Sequence, residues 1–223
     1  MDSYALPFTA RSLTRQELQR EDTYIFRSPK QNQAITLVGV MRLAFWLEQE
    51  FDPLTVACVV RPRGLQLYHG HEVEIDFWTR SRDGVETFWI AVGASDAQHS
   101  KDGVEIKDRP VWEAAAQRAG LSLDYIHEQG LQQRSQPIAN YLRLLPHVQA
   151  ARRHAAIPLL TLRIQELFHA GAFALSFMQV ESALEAFPPH EVRMAACVLI
   201  HAGWLDFPRD LPLSRRTPLQ RRS

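Results

Sequence analysis

The stretch VEIDFWTRSRDGVETFWIAVGAS, Val73–Ser95, decides how the first part of this chain is read. Val73, Ile75 and Phe77 alternate with Glu74, Asp76 and Trp78, the period of a strand with one buried face. The SRDG turn leads into VETFWIAVGA (85–94), whose later residues are apolar enough for a central strand. Asp76 stands between Ile75 and Phe77, and a carboxylate in such company needs a partner. The second strand answers it with Ala91, Val92 and Gly93, which carry no polar side chain.

Upstream, SPK (28–30) reads as a turn, and a helix is expected from about Asn32 to Phe51. Leu37, Val40, Met41, Ala44, Phe45 and Leu47 form its apolar face, and FDP (51–53) stops it. Strands are expected over 54–62, 64–70 and 71–80. Downstream of the opening stretch, SDAQHSKDGVEIKDR reads as a polar loop. A helix follows that starts at Pro110 and ends at Gly120 in C′ fashion, then a strand over 121–128. Residues 140–154 read as a helix that Pro146 can interrupt. From Pro158 the pattern becomes helical, over 157–171, 176–187 and 188–203, with a short extended tail. That order suits a small winged-helix module. Its third helix is poor in groove-reading residues: Glu191 to Ala202 offers only Arg193 and His201 as cationic candidates. Protein docking suits that helix at least as well.

The 223 residues suffice for one large or two small domains, and 46% hydrophobic with 22% charged residues is ordinary for a globular protein. Net charge is zero but uneven, −3 over 1–150 and +3 over 151–223. The ending RDLPLSRRTPLQRRS holds five arginines, among them Arg215 and Arg216. They can meet phosphates, and composition slightly favours a solvated, disordered end. Cys58 and Cys197 sit in apolar runs, which fits buried free thiols in a reducing cytoplasm. No secretory signal, membrane span, cysteine-based zinc pattern, phosphate-binding GxxxxGK[ST] or nucleophile motif is present, so a cytoplasmic location away from the membrane is expected. His69 and His71 with Glu72 can be a metal pair or can flank a Gly70 turn in water. The five tryptophans are expected in cores and interfaces rather than as base-stacking platforms.

The order of parts resembles the TnsA-type endonuclease subunit of heteromeric transposases. The matching stretches are FRSPKQNQ, LEQEFDP, VVRPRGLQLYHGHEVEIDFW, GLSLDYIHEQGLQQRSQPIANYLRLL and LIHAGWLDFPRDLPLSRRTPL, spread from about Ser12 to Leu213. The resemblance implies an α/β restriction-endonuclease-like (PD-(D/E)xK) domain over 1–154. A small α-helical winged-helix-like domain with a basic tail would follow over 155–223. It also implies transposon-end DNA, a DDE-type transposase subunit and an AAA+ ATPase regulator as partners. Arg27, Lys30, Arg61 and Arg63 fall on elements that would approach DNA; ordinary surface charge explains them equally well.

Such a site needs carboxylates to hold Mg²⁺, which activates water and neutralises the reacting phosphate. Carried over position by position, the first-helix glutamate falls on Arg42 or Met41 and the strand aspartate on Asp76. The acid-x-lysine pair falls on Ala91 and Gly93. Arg42 would repel a metal ion and can pair with Asp76 instead. Asp76 is then a remnant, no cofactor is expected, and the chain serves transposition without cutting. Two other possibilities stay open. One is an active endonuclease that binds Mg²⁺ through a relocated site of Asp76, Glu105 and Lys107, in which Glu105 and Lys107 lie 29 and 31 residues after Asp76. The other is a non-catalytic regulatory or defence-associated adaptor.

Overall fold

Gly39 divides the apolar run after SPK into two elements. A computed structural model describes residues 6–93, 96–100, 103–171 and 173–222, with the side chains of residues 20, 69, 98–100, 103 and 104 left aside. The expected helix over 32–51 begins as strand β2 (Ala34–Val38), and helix α2 covers only Val40–Phe51. Ile35, Thr36 and Val38 are β-branched and suit a strand. Gly39 turns the chain at φ +84°, where an added Cβ would stand 1.9 Å from Glu21 Oε2. Val40, expected on the buried face, is 69% exposed.

The chain is a mixed α/β protein that divides into two units. The first comprises Met1–Phe26, Lys30–Gln49 and Leu54–Gln133; the second comprises Arg27–Pro29, Glu50–Pro53 and Arg134–Ser223. The expected boundary at 154/155 therefore moves to 133/134, because the helix over 135–151 packs with the later helices. No helix among the described residues is long and apolar enough to cross a membrane.

In the first unit, α1 (Arg15–Arg20) is opened by a Thr14–Glu17 capping box and followed by β1 (Thr23–Arg27), which pairs with β2. After α2 come β3 (Thr55–Val60), β4 (Gly64–Gln66), a short turn at Tyr68–Gly70, β5 (Glu72–Glu74), β6 (Phe77–Ser81) and β7 (Glu86–Val92). The segment read as a polar loop forms a hairpin of β8 (Ala97–Ser100) and β9 (Gly103–Ile106), and Ile106 joins the core. Ala94 and Ser95 of the opening stretch lie outside the described residues. Helix α3 (Arg109–Arg118) begins one residue before the expected Pro110, which lies in its first turn, and ends before Gly120, whose φ of +66° is the expected left-handed terminus. Strand β10 (Leu123–His127) and helix α4 (Glu128–Gln133) complete the unit.

The central sheet has the order β10-β7-β6-β3, antiparallel except for the β10–β7 pair. Its faces are covered separately. Phe45 of α2 packs on Phe77 and Trp89, with ring centroids 4.9 Å apart in each pair. On the other face Trp112 of α3 joins Val59, Trp78, Phe88 and Ile90. The strict alternation expected over 71–80 fails at Asp76: the strand breaks between Glu74 and Phe77, and Phe77 and Trp78 are both buried.

In the second unit, α5 (Ser135–Ala151) runs unbroken through Pro146. It is followed by α6 (Ile157–His169), β11 (Ala174–Ser176), α7 (Phe177–Ala183), α8 (Pro189–His201), β12 (Leu205–Asp206) and β13 (Pro218–Arg221). The tail expected to be disordered supplies β13, the middle strand of the order β11-β13-β12. Its alternation buries Leu219 completely while Pro218 and Gln220 face solvent.

Candidate functional site

Asp76 sits at the break between β5 and β6 with a side chain 3% exposed. Its amide donates to the Trp89 carbonyl at 2.8 Å, and its own carbonyl accepts from the Arg61 amide at 2.7 Å. Both carboxylate oxygens accept as well. Arg42 Nε donates to Oδ1 at 2.5 Å, and the Ala91 amide donates to Oδ2 at 2.6 Å. The pairing expected from the sequence thus forms. Burial pushes the Asp76 carboxyl up, and the Arg42 guanidinium and the Ala91 amide pull it back. With a donor on each oxygen, the ionised form is the one this geometry accommodates. On Arg42, burial works against the charge, but Asp76 outweighs it and holds the guanidinium above its ordinary value. Burial, aided by the Asp76 charge, also raises the neighbouring Glu74 carboxyl.

These residues do not fit Mg²⁺. The ion needs several oxygen ligands in near-octahedral array. Asp76 spends both oxygens on N–H donors, and one of those donors, Arg42, sets a positive charge against the carboxylate. Ala91 contributes a backbone amide and a methyl group 9% exposed. Gly93 contributes a carbonyl that accepts from the amides of Asp96 and Ala97, each at 3.1 Å. Among the described residues, no group of three or more His, Cys, Asp or Glu is arranged to hold a metal. Of the residues of the relocated site, Asp76 is buried, whereas Glu105 and Lys107 are not. Glu105 is exposed on β9, opposite Gln98 of β8, and Lys107 is an exposed residue just beyond, its amide bonded to the Asp96 carbonyl at 3.0 Å. Gly70 turns at φ +77° and His71 is exposed; the His69 side chain lies outside the described set.

The expected phosphate contacts separate into two groups. Lys30 Nζ donates to the carbonyls of Gln49 at 2.7 Å and Thr55 at 2.8 Å, so it ties the end of α2 to β3. Arg61 is 7% exposed and donates through Nε and Nη2 to the Arg11 carbonyl at 3.1 and 2.8 Å. Its backbone is left-handed at φ +45°, a strain of roughly 1–2 kcal/mol that these bonds hold in place. Lys30 and Arg61 thus have structural roles, because each donates to backbone carbonyls. Arg27, Arg63 and Arg216 are exposed; Arg215 is exposed too but donates to Glu181 Oε2 at 2.6 Å.

In the second unit, Arg193 of α8 is spent on Glu181, at 2.9 and 2.6 Å. No residue from Glu191 to His201 is exposed. Helices α5 and α6 lie against α8. Asn140 of α5 is fully buried; it donates to the carbonyls of Arg209 and Leu211 and accepts from the Leu213 amide, each at 2.9 Å. Both the helix expected to read a groove and the loop beyond it are therefore held by α5. A second buried network joins Ser28 Oγ, Glu50 and His201 Nε2, at 2.7 Å and 2.9 Å from the two carboxylate oxygens. The serine hydroxyl donates to the carboxylate, which ties Ser28 and His201 together through Glu50. Sequence reasoning missed it because its members are more than twenty residues apart and carry no motif.

No protein-family model matches the chain, and no curated protein matches it in sequence.

Proposed function

We propose that this chain is a TnsA-like subunit of a transposition machine that has kept a nuclease-like frame and given up cleavage. The single observation behind this reading is the Arg42–Asp76 pair. A cation on the first long helix neutralises the one remaining carboxylate and fills the position where a metal would be held. A helix packed on an antiparallel β3–β6–β7 set, with the acid at the strand break, supports a restriction-endonuclease-like first domain. The order α6, β11, α7, α8, β12, β13 supports a winged-helix-like second domain.

In this reading the chain binds transposon-end DNA non-specifically, through exposed cations such as Arg63 and Arg216. It docks on a DDE-type transposase and an AAA+ ATPase regulator in the cytoplasm, and it needs no metal of its own. Because the partner then cuts one strand alone, transposition should proceed by copying and yield cointegrates. The test is to sequence transposition products from cells carrying the chain with a transposase and ATPase encoded beside it. Cointegrates are expected, and transposition should stop when the chain is deleted. Simple insertions, or no effect of the deletion, would defeat the proposal. A docking-only adaptor is the second reading, favoured by the burial of α8.

A further inference from the structure

Residues 6–13 enter the first unit as an arm with neither helix nor strand, and none of them is buried. Among the described residues, the amides of this arm find one partner: that of Arg11 donates to the Arg61 carbonyl at 3.0 Å. Leu6 and Phe8 rest part-buried on the core, and the Phe8 ring meets Trp78 and Phe88 edge-on at 5.4 and 5.6 Å. Arg11 Nη1 donates to Glu72 Oε1 at 2.6 Å, but the two side chains are 49% and 35% exposed, and so exposed a pair adds little. A segment with one such bond, an exposed backbone and two apolar anchors belongs to the part of a fold that opens locally, well before the whole unfolds.

What the arm holds is a buried cation. Arg61 Nε and Nη2 both donate to the Arg11 carbonyl, while Glu74 Oε1 stands 3.9 Å from Nε, outside hydrogen-bond reach. A carbonyl accepts but carries no charge, so the arm covers the guanidinium without neutralising it. Burial and the Asp76 charge hold the Glu74 carboxyl above its ordinary range, which weakens it as the counter-charge. The Arg61 backbone is left-handed, and its amide donates to the Asp76 carbonyl at 2.7 Å. Strain of this kind persists where the surroundings over-determine it, and it collects at clamps and switches. Arg63, two residues on, is exposed.

We propose that the arm Leu6–Ser12 is an autoinhibitory latch. Seated, it keeps the Arg61 guanidinium buried on the Arg11 carbonyl. Released, it uncovers that guanidinium next to Arg63, and the pair takes phosphates of a polyanion. Phe8 is the catch, since its ring carries the arm's aromatic contacts with the core. Release removes both acceptors' worth of bonding from Arg61 at once, because one carbonyl serves both donors. A phosphate then replaces a neutral acceptor with a charged one, which strengthens the hydrogen bonds. The latch stands on how Arg61 is held and does not depend on the transposition reading.

Native-state amide exchange on the full chain tests the release. The Arg11 amide should exchange about a hundredfold or more faster than the Asp76 and Phe88 amides, at a rate that low urea leaves unchanged. Phe8→Ala should quicken it further while the Asp76 amide stays protected. Affinity for a DNA duplex of about 20 base pairs tests what release uncovers. Phe8→Ala should bind about threefold or more tighter, with a salt dependence steeper by roughly one phosphate contact, and Phe8→Ala/Arg61→Gln should lose both gains. Circular dichroism of both variants should match the parent chain, and the exchange pattern of the parent chain decides without any variant. An Arg11 amide that exchanges only with global unfolding overturns the latch. So does a duplex affinity that Phe8→Ala leaves unchanged, or a gain that survives Arg61→Gln.

Discussion

Replacing Arg42 with Met tests whether the Arg42–Asp76 pair is a structural lock. Breaking a buried ion pair typically costs about 3–5 kcal/mol, because a charge is left without compensation. The Asp76 side chain is 3% exposed, but that of Arg42 is 25% exposed, and the Ala91 amide stays on Oδ2 after the change. What disappears is a charge-assisted bond, worth roughly 1.5–3 kcal/mol, and the compensation on Oδ1. A loss of about 3 kcal/mol at pH 7 is expected. The sign with pH follows from the carboxyl. Without Arg42, its folded-state pKa rises further above the ordinary 3.8. The native state then holds a proton that the unfolded state has released. Between the two values the variant loses stability as pH rises, so its deficit should be smaller at pH 5 than at pH 7. Urea unfolding in a Trp204→Phe background reads this cleanly, since Trp46, Trp78, Trp89 and Trp112 all lie in the first unit. Arg42→Met/Asp76→Asn should recover about 1 kcal/mol or more. A cost below about 1 kcal/mol that does not change with pH would refute the lock.

Other consequences can be measured separately. Burial and the Arg193 charge hold His147 below its ordinary 6.5, so the unfolded state takes up a proton first as pH falls. The second unit should lose stability below about pH 6.5, and His147→Gln should remove part of that loss; thermal melts at pH 5 and pH 7 check this. Burial pushes the Cys197 thiol up to about 12, and Cys58 is buried as well. Neither should react with a thiol reagent at pH 8 until the chain unfolds, and rapid labelling of the native protein would contradict the packing. Asn140→Leu removes four hydrogen bonds, one of them from the Gln136 side chain, and strands two carbonyls and a backbone amide, so about 2–4 kcal/mol should be lost. Amide exchange over 209–213 should quicken in that variant.

How much could be read beforehand depended on whether the deciding contact leaves a trace in the sequence. The opening stretch carried part of the evidence: Asp76 between apolar neighbours demanded a partner, but Arg42 entered as that partner only through the resemblance to TnsA-type subunits. Helix α8 and the turn at Gly120 were equally plain from spacing and punctuation. Strand β2 was hidden because Leu37 happens to continue the helical spacing of Val40, Ala44 and Leu47; Gly39 was the available signal. Lys30 and Arg61 looked like phosphate ligands because the carbonyls that claim them have no sequence signature. The burial of α8 was unreadable for a different reason. One of the helices against it, α5, lies some forty residues earlier and was assigned to the first domain. The basic tail misled by composition alone, since Leu219 is its one fully buried residue and that is enough to dock β13.

The most direct test of the central claim is nicking of supercoiled DNA in Mg²⁺ and in Mn²⁺ by the wild-type chain beside Asp76→Asn, with and without a partner transposase. The lock between Arg42 and Asp76 predicts no nicking that depends on Asp76 under any of these conditions. Nicking by the wild type that disappears in a folded Asp76→Asn protein would mean that a metal can displace Arg42, and the frame would then be a working nuclease.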